Sequence, residues 1–434
     1  MTTNAAYLTK EQLASITSIT LFLNMGGGVY AAGVDITDWL RDANVDVSEG
    51  VVDTSGDTSG QLIDKVDLIF DNTRGDFDES GRFFIGGFIN NSKVQVVAAY
   101  AETALNDDDL PYVVDTLAPY TFNGVIKSDS SSWVISGPDR NFSMGVLQAA
   151  NILASEIINM GPSYYNSEGV LTPTYLVSGG SMSDTVYQIL QQPSIAAVIN
   201  TGDINLGFDI DGCVDTPAEL VNKKAIDVIN QIGMLSNSKW YIDKNSTFIF
   251  EPIANSGTSF WDVNAPDDVV SLDDFSFNVL QFDSVTWDDG TLAVQNVQMD
   301  YATRQKYSYD IFDKKFDMKW IANPTNRLAL LNSFLLQNQF QHHQLTFTCK
   351  ANPSLRFNQL ITVNLPQQTA DKGNNFIWGK SAWGDGSLWG PGLPGFKISP
   401  SILWRVLTIS RKINLAPDMQ IVCVQAGQGS DSAL

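Results

Sequence analysis

Cationic side chains are scarce in this chain. Its 434 residues hold 26 Lys and Arg against 48 Asp and Glu, a formal net charge of -22. A nucleic-acid binder displaces phosphate counterions with a basic patch. The longest basic runs here are pairs such as Lys223-Lys224 and Arg411-Lys412. The composition therefore argues against tight polyanion binding, and the chain repels polyanions at long range. Such acidity serves either as a solvated coat or as a surface past which a polyanion slides without sticking.

Histidine is nearly absent. His342 and His343 are the two in the chain, and they are adjacent. Neighbouring residues of a regular element point in different directions, so they form no ligand pair. Neither sits in an H-E-x-x-H spacing. A Ser-His-Asp triad would have to use one of them, and no G-x-S-x-G elbow accompanies it. Ser178-Gly179-Gly180-Ser181 reads as a turn before a helix instead.

Cysteine is sparse too: Cys213, Cys349 and Cys423. An odd count without C-x-x-C spacing gives neither a disulfide framework nor a paired metal site. Buried free thiols and assembly in a reducing cytoplasm are expected. No window reaches about 18 uninterrupted apolar residues, so no membrane span is expected. The start of the sequence carries no basic stretch followed by a long apolar run, and it does not read as a secretory signal.

The remaining chemical motifs are weak. Asp209, Asp211 and Asp215 surround Gly212. Placing that glycine at position six of a calcium loop puts Gly207 at one and Ala218 at twelve, where carboxylates are required. The segment reads as a loop leading into a helix. Asp283, Asp288 and Asp289 near Trp287 are a poor candidate for a glycan-hydrolysing carboxylate pair. Arg74-Gly75-Asp76 is an adhesion-type tripeptide in a turn-forming stretch. No catalytic residue, cofactor site or metal site is assigned.

What the sequence does hold is apolar and aromatic material: 44% hydrophobic residues, with 10 Trp, 13 Tyr and 23 Phe. At about 150 residues per domain, this length suggests about three domains. Residues 1–138 alternate polar and apolar residues in strand fashion at 18–24, 65–70, 93–97, 121–126 and 132–135. Asp53–Gly60 and Asn106–Asp109 read as turns.

Residues 139–272 change period. Helices are expected at 146–160, 183–199 and 216–235. Thr216, Pro217 and Glu219 supply the cap, first position and capping box of the last. A hairpin at 239–243 and 247–250 follows. Residues 273–434 return to strands at 278–288, 292–301, 344–350, 360–363, 402–409 and 419–424, with a helix opened by Asn323-Pro324. The fold class is α+β, mainly β, with two β-rich units flanking a mixed α+β middle. A Trp/Gly-rich loop at 367–400 carries Trp378, Trp383 and Trp389, and it reads as a possible partner-binding loop.

One ordered set of motifs is more specific. Val34-Asp35-Ile36-Thr37-Asp38-Trp39-Leu40 precedes Lys65-Val66-Asp67-Leu68-Ile69-Phe70-Asp71-Asn72. Gly75-Asp76-Phe77, Phe83-Phe84-Ile85-Gly86 and Lys93-Val94-Gln95-Val96 follow, and then Phe122-Asn123-Gly124-Val125-Ile126. This order resembles the opening of the tailed-phage baseplate hub (tail hub) protein family, which is related to the hub part of type VI secretion spike proteins. In that family a D-x-T-D strand leads to a D-N-x-x-G-x-F strand-turn. The 225–250 helix and hairpin resemble the hub's middle domain, and Trp404-Arg405-Val406-Leu407-Thr408-Ile409 resembles its last barrel. Residues 164–215 and the Trp-rich loop depart from the family's pattern.

The resemblance implies two tail-tube-like β-barrel domains per chain and a homotrimer that mimics a six-fold ring. It implies a structural, non-enzymatic subunit of the virion tail baseplate, assembled in the host cytoplasm. Expected partners are the tail tube or distal tail protein, the spike or tail-tip protein and the tape-measure protein. During viral genome ejection DNA would pass through without specific binding. The alternatives are a tail-associated cell-wall hydrolase and a carbohydrate-binding tail-tip or adhesin module that uses the three tryptophans.

Overall fold

The computed structural model describes residues 11–22, 33–44, 46–50, 65–77, 93–105, 111–126, 132–136, 139–159, 164–165, 171–172, 176, 178–243, 245–264, 268–276, 284–288, 293–296, 313–338, 343–364, 402–412 and 418–426. The expected turns at 53–60 and 106–109 lie outside these residues.

The first sheet collects β1 (Glu11–Phe22), β2 (Val34–Asp35), β3 (Leu40–Asn44), β5 (Lys65–Asp71), β6 (Lys93–Leu105), β7 (Pro111–Ile126), β8 (Ser132–Ser136) and β9 (Asp139–Gln148). Between β3 and β5 the chain forms β4 (Asp46–Gly50), which belongs elsewhere. The order is β2-β1-β6-β7-β9-β5-β3, with β8 on β9. Period-two alternation buries Val66, Leu68 and Phe70 of β5 and Val94, Val96 and Ala98 of β6. Phe142, Met144 and Val146 of β9 do the same.

The two ends of this sheet are consecutive in sequence. β2 pairs with β1, and after a 3-10 turn at Thr37–Trp39, β3 pairs with β5. One bent strand therefore holds both edges, and the sheet curls on itself. The D-x-T-D segment is a strand only in its first half. The Asp35 carboxylate accepts from both the amide and the hydroxyl of Thr37, which turns the chain. Thr37 Oγ1 in turn accepts from Ile19 N at 2.7 Å, tying the corner to β1.

The helix expected at 146–160 is not present at that length. Val146 faces the sheet core opposite Val66, and the helical stretch is α1 (Asn151–Ser155). Strand pairing captured the inward residues of β9, and the following Ala149, Ala150, Ile152 and Leu153 plug the next core.

The middle unit holds the short pair β10 (Tyr164–Tyr165) and β11 (Leu171–Thr172), α2 (Met182–Leu190), α3 (Pro193–Ala196), β12 (Asn200–Ile204), α4 (Ala225–Leu235), β13 (Ser238–Ile242) and β14 (Thr247–Pro252). The helix expected at 183–199 is split. Pro193 has no N–H to continue the ladder, and Gln192 is extended before it. Ser181 and Asp184 form a capping box at the start of α2.

The helix expected from Thr216 begins instead at Ala225. Thr216 gives its hydroxyl to Lys319 O at 2.7 Å rather than to a first-turn amide. Residues Pro217–Leu220 form a 3-10 turn, and Asn222 breaks the run at φ 69°. The hairpin β13–β14 forms in the expected register, with β12 added parallel to β14. Asp243 Oδ1 fixes its turn by accepting from Asn245 N and Thr247 N, each at 2.8 Å.

The second large sheet uses β15 (Trp261–Asn264), β16 (Val269–Ser276), β20 (Gln344–Lys350), β21 (Leu360–Asn364), β22 (Leu403–Lys412) and β23 (Asp418–Gln425). Its order is β15-β21-β22-β23-β20-β16, with β4 on β22. Here too the edges are consecutive in sequence, and a corner joins them. Asp268 N donates to Asn264 O at 2.8 Å, and Asn264 N donates to the Asp268 carboxylate at 3.0 Å. A small sheet, β17 (Ser284–Asp288), β18 (Ala293–Asn296) and β19 (Asp313–Phe316), stands apart. Helix α5 (Pro324–Asn338) buries Leu330, Leu331 and Phe334 in the middle core, beside Trp320 and Ile321.

Candidate functional site: the joint between the two barrels

The joint begins with β4. After β3 the same chain runs on out of the first barrel. It pairs antiparallel with β22 of the second, from Asp46 opposite Lys412 to Gly50 opposite Thr408. β21 occupies the earlier part of that edge, at Leu403–Arg405. The buried residues of both barrels accordingly form one continuous cluster, while the middle unit has its own.

Side chains from all three units meet beside it. Tyr120 of β7 is 2% exposed, and two guanidinium groups of the second barrel lie over its ring. Arg411 is 5.0 Å and Arg356 5.7 Å from the ring centroid. Arg411 is itself 1% exposed and donates to Leu355 O. A cation over a desolvated aromatic face contributes about 2 kcal/mol. Tyr241 of the middle hairpin meets Phe357 edge-on at 5.3 Å. Burial, then Glu251 and Asp243, push the Tyr241 phenol up to about 12, so it stays neutral. These rings, with Gln148 and Asp243, line a small cleft at the three-way junction.

Asn358 is the second tie. It is buried and sits at φ 64°, the left-handed region that asparagine tolerates better than most residues. Its backbone N–H donates to Val406 O at 2.8 Å. Its side chain reaches the end of β14. Nδ2 donates to Glu251 Oε1 at 2.7 Å and Pro252 O at 3.1 Å, while Oδ1 accepts from Ala254 N at 3.1 Å. Burial raises the Glu251 carboxyl, and the Asn358 amide offsets part of that rise. Nearby, Arg405 Nη1 donates to Asn255 Oδ1 at 2.6 Å, and desolvation brings its guanidinium down to about 10.

The turn expected after β5 is built in the same manner. Buried Asn72 accepts from Phe77 N at 2.9 Å, and Gly75 adopts φ 74°. Phe77 is thereby placed against Phe142 at 5.1 Å and Phe70 at 5.2 Å. Trp39 Nε1 donates to the Asp76 carboxylate at 2.9 Å, so the acid of Arg74-Gly75-Asp76 is engaged within the fold.

The acidic loop serves helix ends. Asp209 accepts from Met182 N at 3.0 Å and Ser183 N at 3.2 Å, at the start of α2. Asp215 accepts from Ala322 N and Asn323 N, just before α5. Among the described residues no group of three His, Cys, Asp or Glu could hold a metal ion, and no helix is long and apolar enough to cross a membrane. Cys213, Cys349 and Cys423 are buried free thiols, each pushed up by desolvation. Asp283, Asp289, His342, Trp378, Trp383 and Trp389 lie outside the described residues.

The sequence reading missed the joint. Arg411 appeared as half of a basic pair, yet it alternates with Ile409 toward the core. That period-two position of a cation was the available signal.

The class this architecture defines is the tail-protein fold. A tail protein from Neisseria meningitidis MC58 superposes at a TM-score of 0.51 with 10% identity, over 97% of this chain and 99% of that one. The 43 kDa tail protein of prophage MuSo2 from Shewanella oneidensis gives 0.44 at 9% identity, over 96% and 98%. A Francisella PdpA-VgrG complex gives 0.46 at 11% identity, covering 98% of this chain and 55% of that one. No protein-family model matches the sequence, and no curated protein sequence matches it.

Proposed function

We propose that this chain is a structural hub subunit of a phage-type tail. Three copies close a ring that joins a hexameric tail tube to a spike or tail tip and encloses a DNA channel. The observation that carries this reading is the joint: two curled barrels are held side by side by consecutive strands, β3 in the first and β4 in the second. A ring that presents six similar barrels from three chains needs each pair fixed in this way. Closed cyclic assembly also covers sheet edges that would otherwise aggregate. The fold shared along its length with a tail protein supports the same reading. Tube, spike and tape-measure proteins are its proposed partners, and the assembled virion tail is its proposed location.

Light scattering on the purified protein tests the ring. A trimer is expected; a monomer at micromolar concentration with intact folding would count decisively against it. The enzymatic alternative, a cell-wall hydrolase, predicts a clearing zone in a peptidoglycan zymogram, whereas a structural hub gives none. The adhesin alternative predicts glycan-array binding that vanishes when residues 367–400, with Trp378, Trp383 and Trp389, are deleted.

A further inference from the structure

Each barrel carries a belt of uncharged polar side chains across its solvent face. In the first, Thr20 pairs with Gln95 and Gln95 with Asn123, on β1, β6 and β7. Asp35 closes the row beside Thr20. Gln95 Nε2 donates to Asn123 Oδ1 at 3.1 Å. In the second, Ser271, Thr348, Gln420 and Ser410 pair in turn across β16, β20, β23 and β22. Asp273 closes this row, accepting from Ser271 Oγ at 2.6 Å, Thr348 Oγ1 at 2.7 Å and Gln420 Nε2 at 2.9 Å. The two rows share a composition: hydroxyls and amides with one carboxylate at the end. The nearest cations on the belt side of these strands are Lys93, Lys350 and Lys412 at strand ends; Lys350 pairs in register with Asp418 and Lys412 with Asp46.

Such belts suit two neighbours poorly. Protein interfaces concentrate aromatic residues, Met and Arg at their centres, and the rows hold none. Phosphate capture needs Lys or Arg, and the rows hold none. The apolar groups fit for subunit contact lie elsewhere. Val270 and Leu272 are exposed on β16, alternating with Ser271 and Asp273, and Phe260 is exposed beside β15. Leu272 pairs in register with buried Phe347, so it lies on the face of β16 away from the belt.

We infer that the two belts face the axis of the ring and form a hydrated wall, with cations only at strand ends, along which duplex nucleic acid slides without being held. This rests on the ring reading above and changes its chemistry. The wall is mainly neutral and hydroxyl-rich, with acid only at the row ends, rather than acidic throughout.

Cysteine accessibility tests it. The native thiols are buried, so Thr20→Cys and Gln420→Cys each give one reactive site. Each variant is labelled, as ring and as dilute monomer, with N-ethylmaleimide and with a polyethylene-glycol maleimide wider than a DNA duplex. The expected result is unchanged labelling by the small reagent in the ring and loss of labelling by the polymer, for both variants. Polymer labelling that persists in the ring places the belts on its outside and overturns the proposal. Loss of both reagents places them in a subunit contact and also overturns it, as does a different outcome at the two sites. Failure to form an oligomer is recognisable separately, because it removes the ring reading itself.

Discussion

Replacing Asn358 with alanine is expected to destabilise the protein more than any surface change. The substitution leaves Ala254 N without its acceptor, and Glu251 and Pro252 O without their donor. An orphaned buried donor costs about 1–3 kcal/mol, and each lost acceptor contact roughly 1 kcal/mol. Alanine also sits less well than asparagine at φ 64°, adding about 1 kcal/mol. The total is about 4–6 kcal/mol. Asn358→Gly removes the same hydrogen bonds but not the backbone freedom, so it should cost about 1 kcal/mol less than alanine. Asn358→Asp keeps the acceptor for Ala254 N but turns a carboxylate toward Glu251. It should be the worst of the three at neutral pH and recover as the pH falls and either acid protonates. Urea unfolding followed by tryptophan fluorescence measures all three. The reasoning fails if alanine lies within about 0.5 kcal/mol of wild type, or if glycine costs more than alanine.

Four further outcomes follow from the same contacts. Glu251→Gln keeps the acceptor for Asn358 Nδ2. Folding raises the Glu251 carboxyl through burial, so its charge destabilises the native state above the folded pKa, and that cost fades as pH falls. The variant should therefore exceed wild type in thermal midpoint at neutral pH and converge with it in acid. Phe77→Ala should cost about 3–5 kcal/mol in urea unfolding, as for other large buried aromatics. Thr37→Val should cost about 1–2 kcal/mol and speed hydrogen exchange at the Ile19 amide, which donates to the Thr37 hydroxyl. All three thiols should resist a thiol reagent in the native protein and react on unfolding; fast reaction of any one would contradict its burial.

Much of the fold was legible because strands facing a core alternate strictly. The strands at 65–70, 93–97 and 344–350 fall where that pattern sets them. The hairpin after α4 was readable for the same reason. Helix boundaries were less so. At Val146 the apolar spacing suits both periods, and pairing with β5 decided it. Thr216 had a cap's chemistry, but Lys319, distant in sequence, took its hydroxyl. The joint was hidden for a related reason. Tyr120, Arg356 and Arg411 are scattered along the chain, and no local pattern announces that they meet. The capping roles of Asp209 and Asp215 also depend on partners remote in sequence.

The passage of the chain from β3 of the first barrel to β4 of the second bears on modularity. A domain that folds alone can be cut out, exchanged or duplicated by recombination without repair. The second barrel lacks that freedom, because one of its strands is encoded some 360 residues upstream, at Asp46–Gly50 opposite Thr408–Lys412. A fragment holding only the later part of the chain would bare the β22 edge along those residues and invite aggregation. Swapping the second barrel between related proteins would therefore require exchanging that upstream segment with it. The two barrels are inherited as a pair.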